Sequence, residues 1–287
     1  MKARALGEVL GMLPKDRFPV LVEGANLLVE HVATLRRTTA HLLERNDPRG
    51  AAILDAVAIE EAAKILILLD FARAGTKVQA RLKQTVRHFY DHVARGIYAE
   101  VALMAPANYA EIREMVEYLR PALYRDGPEG FEWVFRNRIE ARREEITYVD
   151  FIRDDESTRW VTPGTRDASP IWQPSHVTDV VVAMQHAGLY SHQGFDAIAA
   201  AWHDVVIEDD LHWQDVRGKN VEILDAVGRA GLQQAQLTER ELSLAVERWS
   251  FPMFDLDLRK RRVEDAELDE QLKRGEAQFY SSIYGDP

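Results

Sequence analysis

The chain contains no cysteine, so disulfide bonds, thiolate zinc sites, iron–sulfur clusters and cysteine nucleophiles are excluded. Long apolar runs are also missing: the longest, Ala197–Trp202, is far shorter than the roughly 18–20 residues that a membrane span needs. The first residues are too charged and too briefly apolar for a secretory signal. Any catalysis must use His, Asp, Glu, Ser, Lys, Arg or Tyr, and we expect a cytoplasmic protein with no membrane partner.

Glycine-rich phosphate loops and the Gly-x-Ser-x-Gly motif are absent, which argues against P-loop enzymes and α/β-type serine hydrolases. What is present is an ordinary globular composition of 287 residues, 46% hydrophobic and 29% charged, which is enough to bury a large core. Thirty-six Lys and Arg stand against 47 Asp and Glu, a net charge of −11. Non-specific attraction of the whole molecule to nucleic acid is therefore not expected.

Apolar residues recur at helical spacing along most of the chain, and no Asn-Gly or Asp-Gly turn is flanked by alternating apolar residues. The pattern predicts an all-α protein without hairpins. Asp47 and Pro48 are expected to begin the second helix, and Gly75 to end it. Thr238 and Glu241 have the spacing of a capping box. Helices are predicted over about 18–43, 49–74, 77–104, 109–119, 131–152, 176–187, 194–206, 215–230 and 238–249.

Turn-forming residues at 125–130 and the proline-containing stretch 154–175 predict three regions. These are a helix bundle over 1–125, a charged helix with an ordered loop or linker over 126–175, and a helical C-terminal region over 176–287. The role of the third region is open, and it is a candidate docking region for a protein partner.

Three charges interrupt the second and most apolar helix at Glu60, Glu61 and Lys64. A carboxylate on such a helix must gain a partner or shift toward its neutral form, so we expect the cluster to meet Arg, His or Tyr from a neighbouring helix. A polar network that fixes helix register is the structural alternative to a catalytic role.

A basic run extends from Arg73, at the end of this helix, to Arg95 on the next one, and its six cations face one acid, a surplus of five in an acidic chain. The cations are Arg73, Lys77, Arg81, Lys83, Arg87 and Arg95, and the acid is Asp91. On a continuous helix, Arg81, Thr85, His88 and His92 form one stripe. Arginine can hold a phosphate bidentately, and a histidine near neutral pH can move the proton of a ribose hydroxyl, so the stripe has the groups needed for phosphodiester transesterification without a metal.

The segment from about Val22 to Tyr98 resembles the HEPN superfamily and, within it, the AbiV-type abortive-infection group. It has an Ala- and Leu-rich first helix, followed by Ala58–Lys64 (AIEEAAK), which is similar to the group's Glu-Glu-x-Gly-Lys signature with Ala63 in place of glycine. The superfamily hallmark is an arginine and a histidine with four to six residues between them. Arg87 with His92 fits this pattern with four, and Arg81 with His88 fits it with six.

The resemblance implies an antiparallel HEPN-like bundle, commonly a homodimer, that acts as a metal-independent endoribonuclease with no cofactor in antiviral defence or a toxin-like stress response. RNA would be the substrate, cut to leave 2′,3′-cyclic phosphate ends. The residues assigned on this basis are Arg87, His92 and His88 for catalysis, Arg81, Lys83 and Tyr90 for substrate binding, and Glu60, Glu61 and Lys64 as a supporting polar network.

Two interpretations from other classes stay open. The bundle can serve as a non-catalytic helical module for dimerisation or for RNA or protein binding. Histidines in the C-terminal half, at His176, His186, His192, His203 and His212, would be needed for a metal-dependent hydrolase. Their irregular spacing, and the lack of a third ligand beside the i, i+4 pair His88 and His92, lead us to predict no metal site.

Overall fold

The structure is a computed structural model that describes residues 4–75, 79–122, 137–153, 158–163, 176–264 and 266–267. A 3₁₀-helix covers Ala5–Gly11, and the α-helices are α1 (Pro14–Glu44), α2 (Pro48–Arg73), α3 (Gln79–Tyr90), α4 (His92–Val101), α5 (Tyr109–Leu119), α6 (Arg138–Thr147), α7 (His176–His186), α8 (His192–Trp202), α9 (Trp213–Arg229) and α10 (Glu239–Glu247). The strands are β1 (Pro121–Ala122), β2 (Asp150–Arg153), β3 (Thr158–Val161) and β4 (Arg261–Arg262). The predicted all-α class is confirmed.

Helices α1 and α2 form the centre of the bundle. The side chain of Asp47 accepts a hydrogen bond from the Gly50 amide at 2.9 Å, and Pro48 occupies the first helical position, as the sequence predicts. Gly75 follows the end of α2 with φ +68°, a left-handed conformation that favours glycine. Because only three residues join α1 to α2, the two helices run antiparallel and pack along their length.

The third helix is not the continuous element that the sequence analysis predicts over 77–104. Asp91 has extended backbone angles, φ −95° and ψ 126°, and its carboxylate accepts a hydrogen bond from the Ala94 amide at 2.9 Å to cap α4. The chain therefore forms two helices, α3 and α4. The predicted stripe of Arg81, Thr85, His88 and His92 is wrong, since helical phase is lost between His88 and His92. Lys77 lies outside the described residues.

The predicted absence of hairpins is also wrong. Helix α6 ends at Thr147 instead of continuing to 152, and β2 then pairs antiparallel with β3. Phe151 stands opposite Trp160, with ring centroids 5.1 Å apart. Cross-strand aromatic pairs of this kind stabilise a short ladder without an Asn-Gly turn. A second small sheet pairs β1 in parallel with β4.

One continuous buried core includes residues from Val9 to Leu258. The C-terminal region packs on α2 through α7 and α8, and the segment after α10 contributes Phe251, Met253 and Phe254 to the same core. The boundaries at 125 and 175 stay a prediction, and the turn at 125–130 lies outside the described residues. Residues on both sides of these boundaries nevertheless share one packing unit.

Helix α1 is long and apolar enough over Lys15–Glu44 to cross a membrane by length and composition, and it is the one such helix within the described ranges. Core helices of other proteins meet the same criterion. In this structure Leu21, Ala25 and Val29 of α1 are buried.

Candidate active site on α2, α4 and α6

A glutamate and a histidine predicted from the sequence meet at the surface of the bundle. His92 is the first residue of α4, and its Nδ1 lies 2.8 Å from Oε2 of Glu60 on α2. The His92 side chain is 45% exposed and that of Glu60 is 20% exposed, so the pair is open to solvent on the histidine side. The expectation that the charges of α2 meet a basic group on a neighbouring helix holds for Glu60.

Two arginines complete the cluster, and neither was assigned from the sequence. Arg95 lies one turn after His92, with Nη1 3.1 Å from Oε2 of Glu60 and Nη2 3.0 Å from Nδ1 of His92. Arg143 comes from α6, with Nε 3.6 Å from Oε1 of Glu60 and Nη1 3.5 Å from Nδ1 of His92. Arg95 is almost fully buried and therefore fixed, whereas Arg143 is about half exposed.

The hydrogen bonds of the ring limit what His92 can do. Nδ1 cannot both donate to Glu60 and accept from Arg95, because a ring nitrogen carries either a proton or an in-plane lone pair but not both. When Nδ1–H donates to Glu60, Arg95 pairs with the carboxylate directly, and Nε2 is left as the proton acceptor. In carboxylate–histidine pairs of hydrolases the carboxylate also accepts from Nδ1–H and so orients Nε2 as the base. Nε2 has no partner among the described residues, so it is available to a substrate.

A further acid lies near this cluster on α2. Burial raises the pKa of Asp55 to about 6, and Asp179 acts in the same direction, while Arg142 and Arg36 oppose the rise. Arg142 also donates to Glu100 at 3.1 Å, and Arg36 pairs with Asp179. Helix α6 thus places two consecutive arginines, Arg142 and Arg143, over the acidic groups of α2 and α4.

The two predicted partners of His92 on α3 lie elsewhere. Arg87 is exposed and has no contact with the cluster in the part of the chain that the structure describes. His88 is only 2% exposed, and burial lowers its pKa to about 4. Because the ring is enclosed and neutral at pH 7, it is not accessible to a substrate, and the proposed site does not include His88.

The predicted substrate-binding residues are occupied or dispersed. Arg81 donates to Asp255 at 2.8 Å and lies over the ring of Phe254. The Tyr90 hydroxyl accepts from the Leu6 amide at 2.9 Å and so anchors the N-terminal 3₁₀-helix. Lys83 is exposed. These three side chains do not converge with His92.

The other two residues of the predicted polar network, Glu61 and Lys64, pair with each other. Lys64 donates to Glu61 at 2.5 Å, both side chains are mostly buried, and the ammonium lies 5.7 Å from the centroid of the Phe89 ring. The pair therefore attaches α2 to α3, whereas Glu60 alone faces the site.

A second charged network is sealed in the core. Asp70 accepts from the Tyr98 hydroxyl at 2.7 Å and the Met253 amide at 2.8 Å, and it pairs with Arg73 at 3.2 Å. Arg73 is stacked between Trp202 and Trp249, 4.8 and 4.0 Å from the ring centroids. Burial raises the pKa of Asp70 and lowers that of Arg73 to about 10. Both side chains are buried, so Arg73 adds no charge to the surface of the basic run.

Comparison with known proteins identifies the family. A family model described as AbiV, of the HEPN type, matches residues 20–178, which is 159 of 287 residues and more than half of the chain. The chain belongs to the AbiV family. No curated protein and no solved structure matches it. The AbiV match covers Glu60, His92, Arg95 and Arg143 and ends at Thr178 in α7, so the whole candidate site lies within the family region.

No three His, Asp or Glu side chains converge on a metal-binding geometry within the described residues of this AbiV protein. Two histidines of the C-terminal half have separate acidic partners: His186 bonds to Glu241 at 2.9 Å and His203 to Asp204 at 2.6 Å. The side chain of His176 lies outside the description. Nothing in this arrangement favours the metal-dependent hydrolase.

Proposed function

We propose that this protein is a metal-independent endoribonuclease of the HEPN type that acts in abortive-infection defence. The observation that carries the proposal is the surface cluster of Glu60, His92, Arg95 and Arg143, in which a carboxylate orients a histidine between two guanidinium groups. A base beside two phosphate-binding cations is the arrangement that RNA transesterification needs.

In this proposal Nε2 of His92 takes the proton from a ribose 2′-hydroxyl or returns one to the leaving 5′-oxygen. The 2′-oxygen attacks phosphorus, the bond from phosphorus to the 5′-oxygen breaks, and the upstream fragment keeps a 2′,3′-cyclic phosphate. Arg95 and Arg143 stabilise the charge on the phosphate oxygens. Because Arg143 makes the longest contacts and is exposed, it is the cation that a phosphate can engage with least rearrangement.

We further propose that the protein acts on RNA in the cytoplasm as a homodimer. A single His92 can serve one of the two proton transfers at a time, and a second copy of the chain would bring a second histidine. Arg87 lies five residues before His92, on the other side of the break at Asp91, and its exposed guanidinium has no partner among the described residues. In the proposal it contacts RNA outside the cluster.

A specific observation also favours a second candidate, a non-catalytic helical module for dimerisation or RNA binding. Arg95 and Arg143 are already paired with Glu60, so the cluster could simply join α2, α4 and α6. The two candidates differ in whether the exposed imidazole is needed for turnover or only for structure.

The test is cleavage of end-labelled single-stranded and structured RNA by purified protein in EDTA, with the product ends analysed for 2′,3′-cyclic phosphate. His92→Ala should abolish cleavage with an unchanged circular dichroism spectrum. His41→Ala is the matched control, since His41 is an exposed helical histidine whose Nδ1 also bonds to a glutamate, Glu44, at 3.2 Å. The control should cut like the wild type.

Glu60→Gln separates orientation from charge, because the amide oxygen can still accept from Nδ1 but no longer stabilises an imidazolium. We expect it to retain part of the activity. RNA that stays uncut by the wild type, or a His92→Ala variant that cuts normally, contradicts the enzyme and favours the binding module, whose RNA affinity would then be measured with the same variants.

A further inference from the structure

We propose that Gly96 and Ile139 are positioning residues that set the location of Arg143 over His92 through a close contact between α4 and α6. The inference deepens the proposed ribonuclease site and rests on it for its catalytic consequence. The contact itself is a property of the chain whether or not RNA is the substrate.

Gly96 forms a notch in α4, directly after Arg95. A Cβ added at Gly96 would lie 2.2 Å from Cγ2 of Ile139, 3.1 Å from its Cδ1 and 3.2 Å from its Cβ. The first distance is far inside van der Waals contact. The β-branched side chain of Ile139 has one strongly preferred χ1 rotamer in a helix, so it cannot easily turn away, and α6 would have to move.

Ile139 is a partly buried α6 residue that packs against the main core, on a helix that is mostly charged and has no fully buried side chain. At the start of the helix, the Asn137 amide donates to the carbonyls of Leu119, Arg120 and Pro121 at 2.8, 3.2 and 3.3 Å. Other contacts of α6 include ion pairs at the surface, such as Arg142 with Glu100 and Lys260 with Glu140. Exposed pairs of this kind hold a helix weakly.

Arg143 lies four residues after Ile139, so the two side chains share one face of α6. The helix start is fixed at Asn137 and its face is fixed at Ile139, one turn before Arg143. A displacement of Ile139 therefore moves Arg143 away from His92 and Glu60. Its contacts with them are already long, at 3.5 and 3.6 Å, so a small shift breaks them.

The experiment compares Gly96→Ala, Arg143→Ala and the double variant on the same labelled RNA. Loss of one charge-assisted phosphate contact predicts about a 10- to 100-fold fall in cleavage rate for Arg143→Ala. Gly96→Ala should fall by a similar factor, and the double variant should be no slower than Arg143→Ala. Gly96→Ala combined with Ile139→Ala should recover most of the rate, since removal of Cγ2 relieves the contact.

Gly218→Ala is the matched control, because Gly218 also lies inside a helix, α9, and an added Cβ there meets nothing within 4 Å. It should cut like the wild type. Full additivity of Gly96→Ala and Arg143→Ala, or a Gly96→Ala protein with wild-type activity, overturns the inference.

A readout that needs no activity keeps the two proposals distinguishable. The ring ¹⁵N and ¹H signals of His92 in nuclear magnetic resonance spectra should shift in Gly96→Ala in the same direction as in Arg143→Ala, and return in the variant that also carries Ile139→Ala. If the wild type cuts no RNA, the proposed function fails while these spectra still decide the positioning role. Unchanged His92 signals in Gly96→Ala would refute the positioning role of Gly96 and Ile139.

Discussion

Replacing Asp70 by asparagine would leave Arg73 charged inside the core with no counter-ion. Asp70 is 1% exposed and Arg73 is 4% exposed, and their ion pair lies within α2. Asp70 also joins α2 to the segment after α10, because it accepts a hydrogen bond from the Met253 amide. The asparagine has nearly the same volume, so the substitution changes charge and hydrogen bonding without opening a cavity. The Tyr98 hydroxyl and the Met253 amide both donate to Oδ2 of Asp70, while Arg73 donates to Oδ1. An asparagine whose oxygen keeps the first two bonds therefore places its NH2 group, which can only donate, against the Arg73 guanidinium.

Removal of one partner from a buried ion pair destabilises proteins by about 3–5 kcal/mol, because the remaining charge is desolvated and unpaired. Stacking of Arg73 between two tryptophans does not replace the missing anion, since a cation–π contact is worth only about 0.5–2 kcal/mol. If the free energy of unfolding falls by about 3 kcal/mol per molar urea, the urea concentration at the midpoint of unfolding should fall by about 1–1.7 M.

The assay is urea unfolding at pH 7, followed by far-ultraviolet circular dichroism and tryptophan fluorescence, since Trp249 reports on Arg73 directly. Glu247→Gln is the matched acid-to-amide control, because Glu247 pairs with Arg217 at 2.6 Å at the surface. It should shift the free energy of unfolding by less than about 1 kcal/mol. Equal midpoints for Asp70→Asn and Glu247→Gln would refute the reasoning.

Two further predictions concern pH, both measured as urea unfolding curves between pH 4 and 7.5. The pKa of Asp55 is raised to about 6, so its contribution to stability is present below its ordinary pKa near 3.8 and is lost as pH rises through 6. At pH 7.5 the free energy of unfolding of Asp55→Asn should exceed that of the wild type by about 1–3 kcal/mol, a range that allows for the partial exposure of Asp55. The difference should vanish near pH 4, and a difference that does not change with pH would contradict this. The pKa of His88 is lowered to about 4, so its contribution is present above 6.5 and is lost as pH falls through 4. His88→Gln should therefore reduce the loss of stability on acidification by up to about 3 kcal/mol, and an unchanged pH slope would count against a neutral buried ring.

Local sequence signals predict most of the helical architecture. Asp47 with Pro48, Gly75, and Thr238 with Glu241 mark helix ends that the structure reproduces, because capping depends on residues within one turn. The apolar periodicity does not predict the break at Asp91, because apolar residues continue on both sides of it. The signal was present nevertheless, since aspartate is a favoured N-cap residue.

The candidate site could be predicted only in part. Charges on an apolar helix must find partners, which is enough to expect a basic group beside Glu60. It does not identify which one: Arg143 is 51 residues from His92 in sequence and lies on a helix without an apolar stripe. The basic run does not form one charged face for a related reason, because local sequence does not show that Arg73 and Arg95 are enclosed by the fold.

The Asp70 contact also has a consequence for synthesis on the ribosome. The Met253 amide that bonds to Asp70 follows it by 183 residues. At about 5–20 residues per second, α2 is made about 10–35 s before this partner exists. Until Met253 has been made, Asp70 can bond to Tyr98 and Arg73 but lacks its third partner, so the core around it is incomplete. Ribosome-bound chains that stop before Met253 should accordingly be more sensitive to protease than chains that include this segment, and a ribonuclease site built on such a bundle would become fully packed only after Met253 is added.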